Sequence, residues 1–355
     1  MNRELTDASS RNDYYLPAGL IAQYPPPERD ASRLLVVRRE DGAILHRRFR
    51  DLGTVLRPGD LLVLNDTKVI PARLFGRRRG GGQVEVLLIA EEDRNRWWAL
   101  VKPGRGLPVG RRLSFQEGAG AEVLDCGEGG RRLLQFDGVE DIFALLPSIG
   151  EMPLPPYIKR GDRSQERVHD RALDAERYQT VYAKDAGAIA APTAGLHFTE
   201  PVLTAMERHG VEIAFLTLHV GVGTFKPVTV DRVTEHRMGP ERYIIPEKTA
   251  TAVKRAKAEG RRVVAVGTTT TRALEDAALQ GGVVRAGEGT AFLFITRGHP
   301  FQVVDTLLTN FHLPRSTLLI LVCAFAGRDL ILKAYADATR KRYRFYSYGD
   351  AMVIL

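Results

Sequence analysis

The chain has 355 residues, of which 44% are hydrophobic and 26% charged. That is ordinary globular usage with enough chain for two domains at roughly 100–200 residues each, and it excludes a disordered or fibrous protein. Lys and Arg number 51 against 43 Asp and Glu, a net charge of +8, which points to a polyanionic partner.

In chain order, the opening stretch MNRELTDASSRNDYYLP carries no apolar core of a secretory signal. SRLLVV (32–37) reads as a buried strand and DLLVL (60–64) as a second one, stopped by Asn65-Asp66, with Pro71 marking a boundary. Between residues 72 and 138 come short alternating segments, QVEVLLI, RWWALV, RRLSF, AEVL and RLLQF, separated by Gly and Pro turns. This is the pattern of a small antiparallel barrel or sandwich. Residues 147–163 are proline-rich and irregular, suited to a wall or connector. After them Thr199–His209 reads as a helix capped by Thr199, VEIAFLTLHV as a strand, and Pro246–Glu259 as a helix. RRVVAVG, TRALEDAAL, AFLFIT and QVVDTLLT follow as strand, helix, strand and strand. STLLILVCAFAGRDLILKAYADAT reads as one long helix and AMVIL as a last strand. Helices alternating with strands indicate an α/β domain, so an α/β body (1–71 and 148–355) with an inserted β-barrel (72–147) is expected. The longest apolar run, 317–327, is about half the ~20 residues that span a bilayer. Cys126 and Cys323 lack CxxC or finger spacing, so neither a disulfide framework nor structural zinc is expected, and a reducing compartment fits. A soluble, cytoplasmic protein without a membrane partner, acting as a monomer, is the expectation.

The charge is concentrated. Residues 72–112 hold ten basic and four acidic side chains, +6 of the total +8. Arg77, Arg78 and Arg79 form a cluster beside a run of glycines, with Trp97-Trp98 on a following strand; such a hairpin can hold phosphates and stack bases, or be a solvated tip with one tryptophan in the core. A second basic group lies at Arg340-Lys341-Arg342 and Arg344.

Several polar runs exceed what packing asks for. Asn65-Asp66-Thr67-Lys68 stands at a strand end, where α/β proteins bind ligands; an Asx turn is the plainer use of it. AAPTAGLHFT offers Thr193 and His197 on a small-residue loop, with His197 as an acid/base candidate or a satisfied structural histidine. LHVGVGTFKPV puts His219 before Gly221 and Gly223, too short for a dinucleotide fingerprint and blocked by Pro227. VVAVGTTTTRALED opens a helix with Thr268 to Thr271 and Arg272, a natural anion site without a Walker lysine. TNFHLPRST places Asn310 and His312 after a strand, and Tyr348-Gly349-Asp350 precedes the last one. His197, His219, His236 and His312 show no metal-ligand spacing, so no metal site is expected.

Together these runs resemble one family, the S-adenosylmethionine:tRNA ribosyltransferase-isomerases of queuosine biosynthesis. The matching stretches are DYYLPAGLIAQYPPPERDASRLLV, GDLLVLNDTKVIPARL, GEMPLPPYIKR, ERYQTVYAKDAGAIAAPTAGLHFT, LHVGVGTFKPV, VGTTTTRALE, TNFHLPRSTLLILVCAFAG and YRFYSYGDAMVI. The resemblance runs from Asp13 to the C-terminus and is weakest in the insert. It implies an α/β domain carrying a small β-barrel, S-adenosylmethionine as co-substrate and tRNA carrying the aminomethyl-deazaguanine preQ1 as partner. It implies an epoxyqueuosine product and no metal. Such a reaction needs a base for the proton beside the sulfonium and an acid for the leaving adenine. His197 leads for those roles, His219 is second, and Asp66 and Lys68 orient substrate. Asn65, Thr67, Arg33, Thr193, Thr268, Thr269, Asn310 and His312 join the substrate-binding candidates. Asp350 or Glu151 offsets the sulfonium, and Arg272 meets the methionine carboxylate. The sequence departs from the family at Gly239, where a histidine is expected, and at Thr296-Arg297. An RNA-binding protein without catalysis and a metal-dependent nucleotide hydrolase are the alternatives. The polar runs at strand ends speak against the first, and a chelator would decide the second.

Overall fold

The computed structural model describes residues 12–160, 164–221, 238–279 and 281–355; the expected roles of Gly223, Pro227 and His236 lie outside them. Nine strands form the main sheet. In spatial order they are Gly287–Ala291, Glu241–Ile245, Glu212–Leu218, Leu61–Asn65, Val263–Val266, Thr306–Asn310, Ala351–Ile354, Arg33–Val37 and Ile44–Arg48. The four from Glu212–Leu218 to Thr306–Asn310 run parallel, while both edges are antiparallel pairs. Parallel strands are covered on both faces and therefore read as unbroken apolar runs; Leu61–Asn65 and Val263–Val266 are buried throughout.

The pleat sorts these side chains with period two. Leu61, Val63, Val263, Ala265 and Leu307 face a large cluster built with residues of the helices Glu247–Ala258, Thr268–Ala277, Thr317–Ala326 and Arg328–Arg340. Leu62, Leu64, Val264, Val266 and Leu308 face a thinner layer with Phe49, Phe198, Val202 and Met206, the last two from the helix Glu200–Arg208. That helix is capped as expected, Thr199 Oγ1 accepting from the Val202 N–H at 3.4 Å.

Two expectations are corrected. The single long helix is two, broken at Gly327, whose φ of +85° and ψ of +136° leave the helical region at little cost only because the residue has no Cβ. AFLFIT is not a strand. The strand ends at Ala291 and Phe292 is 65% exposed; the carbonyls of Ala291 and Leu293 instead accept from the Arg272 guanidinium. The edge strand Ile44–Arg48, with only partial burial, gave no apolar run to read.

The inserted barrel is closed. Strands Arg73–Arg78, Gln83–Asp93, Arg96–Lys102, Arg131–Asp137, Gly120–Cys126 and Arg112–Ser114 pair in that order, and Arg77↔Ser114 and Arg78↔Leu113 complete the ring. Gly76 sits at the seam, where a Cβ would lie 2.7 Å from the Ser114 carbonyl oxygen and 2.8 Å from the Phe115 ring. Alternate residues such as Val84, Val86, Trp97, Ala99, Val123, Leu134 and Phe136 fill the interior. The helix Ile142–Ile149 adds Ile142, Leu146 and Ile149 to the same core, one face at helical spacing.

Candidate active site

Asn65, Leu218, Val266 and Asn310 are the last residues of the four parallel strands, and the cleft lies beyond these ends, as the geometry of open α/β sheets favours. Thr193, Thr268, Thr269, Asn310 and His312 line it, together with Tyr157, Tyr346, Ser347 and the small-residue run 190–194. Asn310 ties the walls together: its amide donates to the Tyr346 carbonyl at 3.2 Å and accepts from Thr193 Oγ1 at 2.9 Å.

The four threonines divide into two pairs. Gly267 enters the helix at φ +93°, and the first amide bonded back is that of Thr271, to the Gly267 carbonyl at 3.1 Å. The amides before it stand at the cleft wall with the positive end of the helix dipole. Thr270 and Thr271 turn their hydroxyls back onto the carbonyls of Val266 and Gly267 at 2.7 and 3.1 Å. Thr268 and Thr269 face the cleft.

His312 is fully enclosed. Its Nε2 lies 2.7 Å from Thr309 Oγ1, and burial pushes the imidazole down to about 3, so it is neutral at physiological pH. Among the described residues the cleft lining contains no Asp, Glu, Lys or Arg.

A second polar group gathers at the ends of Leu61–Asn65 and Glu212–Leu218, next to the cleft residue Val220. His219 Nδ1 lies 2.8 Å from Thr67 Oγ1. Thr217 Oγ1 lies 2.7 Å from Asp66 Oδ1 and 3.3 Å from Asp185 Oδ2. Asn65 braces the corner, donating to the Leu218 carbonyl at 3.0 Å and accepting from the amides of Thr67 and Leu218. Gly187 makes room for the imidazole; a Cβ there would lie 2.9 Å from the ring. Burial, then Asp185, raises the Asp66 carboxyl above its ordinary range, while burial and Arg242 lower His219. His219 is thus a half-buried, neutral base. Asp185 and Thr217 carry no motif and were not singled out from the sequence. Lys68 is exposed on the short strand Thr67–Val69.

Four expected site residues, His197, Arg272, Asp350 and Arg33, are bonded within the frame, and a fifth, Glu151, lies at the barrel. His197 is buried with Nδ1 3.1 Å from the Ala194 carbonyl and Nε2 2.9 Å from that of Gly349, and it stacks on Phe49 at 5.1 Å. Burial lowers its affinity for a proton against the pull of the two carbonyls. The ring pins two loops together and lines no part of the cleft. Arg272 is buried against Glu241 and the carbonyls of Leu293 and Ala291, so it does not meet the cleft. Asp350 accepts from the amides of Arg33 and Arg344, each at 2.8 Å, and pairs with the Arg33 guanidinium at 3.0 Å. Asp350 and Arg33 therefore hold the C-terminal turn to the first strand. Glu151 lies with Arg77, Lys102 and Arg171 in a groove along the barrel.

Arg77 and Arg79 are exposed at the barrel's first hairpin; Arg78 donates to the Arg105 carbonyl at 3.2 Å. Arg78, Arg79 and Arg111 line one shallow hollow. Trp97 lies in the barrel core and Trp98 is partly exposed. Gly239 is described, and a Cβ there would meet nothing within 4 Å.

Among the described residues no group of three or more His, Cys, Asp or Glu is placed to hold a metal ion, and no helix is long and apolar enough to cross a membrane. A family profile described as Queuosine biosynthesis protein matches residues 9–354. Proteins named S-adenosylmethionine:tRNA ribosyltransferase-isomerase are similar along nearly the whole chain. That of Moorella thermoacetica is 52% identical, covering 97% of this chain and 98% of its own. That of Heliobacterium modesticaldum is 51% identical over the same shares. A crystal structure of S-adenosylmethionine tRNA ribosyltransferase from Thermotoga maritima is 38% identical, covers 98% of this chain and 100% of its own, and superposes with a TM-score of 0.55. With the profile spanning almost every residue and full-length relatives above half identity, the chain belongs to the family of queuosine biosynthesis proteins.

Proposed function

We propose that this protein transfers and isomerises the ribosyl part of S-adenosylmethionine onto tRNA, the activity for which its relatives are named. The acceptor in this reading is the primary amine of 7-aminomethyl-7-deazaguanine at the wobble position, and the product is epoxyqueuosine. A base removes a proton beside the sulfonium, which acidifies it. Adenine departs with a proton on the ring, the amine attacks and loses its own proton, and closure of the epoxide expels neutral methionine. The protein acts where tRNA is, in the cytoplasm, and residues 72–147 form an inserted unit that grips RNA.

The observation that carries this reading is a cleft at the ends of the parallel strands whose described lining is mostly apolar and uncharged, with Thr193, Thr268, Thr269 and Asn310 set into it and a half-buried histidine beside it. The open amides of the helix Thr268–Ala277, with Thr268 and Thr269, suit the methionine carboxylate. Thr193 and Asn310 suit the ribose hydroxyls. His219, held by Thr67 with Asp66 and Asp185 near it, is the base; Lys68, being exposed, suits a tRNA phosphate. His197 supports the site without entering it.

Incubation with S-adenosylmethionine and tRNA bearing the precursor base tests the reading. Adenine release that requires that tRNA supports it, and release without the tRNA points to a nucleosidase. If His219→Ala keeps a wild-type single-turnover rate, His219 is not the base.

A further inference from the structure

The cleft poses an electrostatic problem for the co-substrate proposed above. S-Adenosylmethionine carries a permanent sulfonium charge, and moving a charge out of water is costly unless something in the site answers it. Among the described residues no carboxylate lines the cleft, and its one histidine is neutral.

Two tyrosines on opposite sides of the chain meet there. Tyr157 comes from the proline-rich connector and Tyr346 from the turn before the last strand, with ring centroids 4.6 Å apart and planes at 47°. Both residues are anchored, one by its ring and the other by its backbone. Tyr157 Oη lies 2.7 Å from Ser347 Oγ. Tyr346 is held at φ +73°, a conformation that bulky residues avoid. Its amide donates to the Phe311 carbonyl at 3.0 Å, and its carbonyl accepts from Gly349 N–H at 2.9 Å and from the Asn310 amide at 3.2 Å. A backbone held in a disfavoured region by three hydrogen bonds sets the point from which the Tyr346 ring projects, and the ring packs 4.6 Å from that of Tyr157.

We propose that the Tyr157–Tyr346 pair is the sulfonium-reading element of the cleft, its ring faces doing what a carboxylate would do, none being found in the described lining. This rests on the reading of S-adenosylmethionine as co-substrate. The negative face of an aromatic ring attracts a desolvated cation, and it leaves the acidified proton beside sulfur free for a base elsewhere, which an ion-pairing carboxylate would not guarantee.

The test compares S-adenosylmethionine with S-adenosylhomocysteine, which has the same adenosine and amino-acid groups but a neutral sulfur. Equilibrium binding of each is measured by calorimetry on the full-length enzyme with saturating tRNA that lacks the precursor base, so that nothing turns over. Wild type is expected to prefer the sulfonium by about tenfold, within the span of cation–π contributions. Tyr346→Leu and Tyr157→Leu bring the ratio toward one by weakening S-adenosylmethionine alone, and Tyr346→Phe keeps it. Equal binding of the two ligands by wild type overturns the proposal without any variant. A preference that survives both leucine variants, or leucine variants that weaken both ligands alike, also overturns it and makes the rings an adenine shelf or packing. Binding of neither ligand by wild type would instead remove the reading of the co-substrate itself.

Discussion

The barrel and the main sheet solve opposite problems with the same element. In the barrel, alternation sends apolar residues inward and charged ones outward, so its first hairpin carries arginines into solvent. The central strands of the main sheet are covered on both faces, so their polar groups gather at the strand ends. There the groups are Asn, Thr and a neutral His, held in a fixed geometry by hydrogen bonds. A long-range field suits a polyanion that must be caught from solution. Fixed uncharged donors suit a small substrate whose own charges must be placed. The same contrast recurs inside the main sheet, between polar residues that face the cleft and those that hold its walls.

That inner contrast can be broken by mutation. Arg272→Ala breaks the buried ion pair with Glu241 and should cost about 3–5 kcal/mol of stability. Denaturant midpoints would show the loss, with the KM for S-adenosylmethionine in the surviving folded fraction nearly unchanged; a large KM effect at unchanged stability would return Arg272 to the substrate. The next largest effect is pH-dependent. His312 is pushed from 6.5 to about 3 by burial, so the fold favours its neutral form. The stability this contributes is complete above pH 6.5 and is lost as pH falls toward the folded value, about 2 kcal/mol by pH 5 at ~1.4 kcal/mol per unit. His312→Asn should flatten that slope, and an unchanged slope would mean the imidazole reaches water.

Much of this was legible in the sequence because it is local. The apolar strands, the Thr199 cap and the alternating barrel segments follow from periodicity and turn chemistry, and three of the polar runs supply Thr193, Thr268, Thr269, Asn310 and His312 to the cleft lining. What was not legible depends on where a side chain turns. Nothing in TTTT tells that Thr270 and Thr271 bond backward while Thr268 and Thr269 face the cleft. His197 looked like an acid or base because it follows Gly-Leu on a loop, yet Gly349, 152 residues later, takes one of its nitrogens. Asp185 meets Asp66 only once the chain is folded, its amide donating to the Asp66 carbonyl at 3.4 Å and Thr217, from another strand, bridging the two carboxyls. The left-handed backbone of Tyr346 leaves no mark in the residues around it.

The outer contrast, barrel against sheet, predicts effects that separate by ligand. Neutralising Arg77, Arg78 and Arg79 to Gln should weaken tRNA binding and lower the salt slope by up to about 0.9 per phosphate contact removed, if the duplex value applies to the structured tRNA. S-Adenosylmethionine binding should stay as it was. An unchanged slope would move the RNA surface off this hairpin, towards the groove with Lys102 and Arg171 or the basic residues near Arg340.

The smallest expected change is the most discriminating one for the cleft. Thr269→Val keeps shape and the β-branch but removes the hydroxyl of a residue that lines the cleft. Thr271→Val removes one that is already satisfied by the Gly267 carbonyl at 3.1 Å. If only the first hydroxyl meets substrate, Thr269→Val should raise the KM for S-adenosylmethionine by about tenfold, the worth of one hydrogen bond to a charged group, and leave stability within about 1 kcal/mol. Thr271→Val should leave KM alone. The two residues are neighbours of the same type on the same helix, so propensity and local charge cancel in the comparison. What remains is the direction in which each side chain points, which is the property that separates the cleft from its frame.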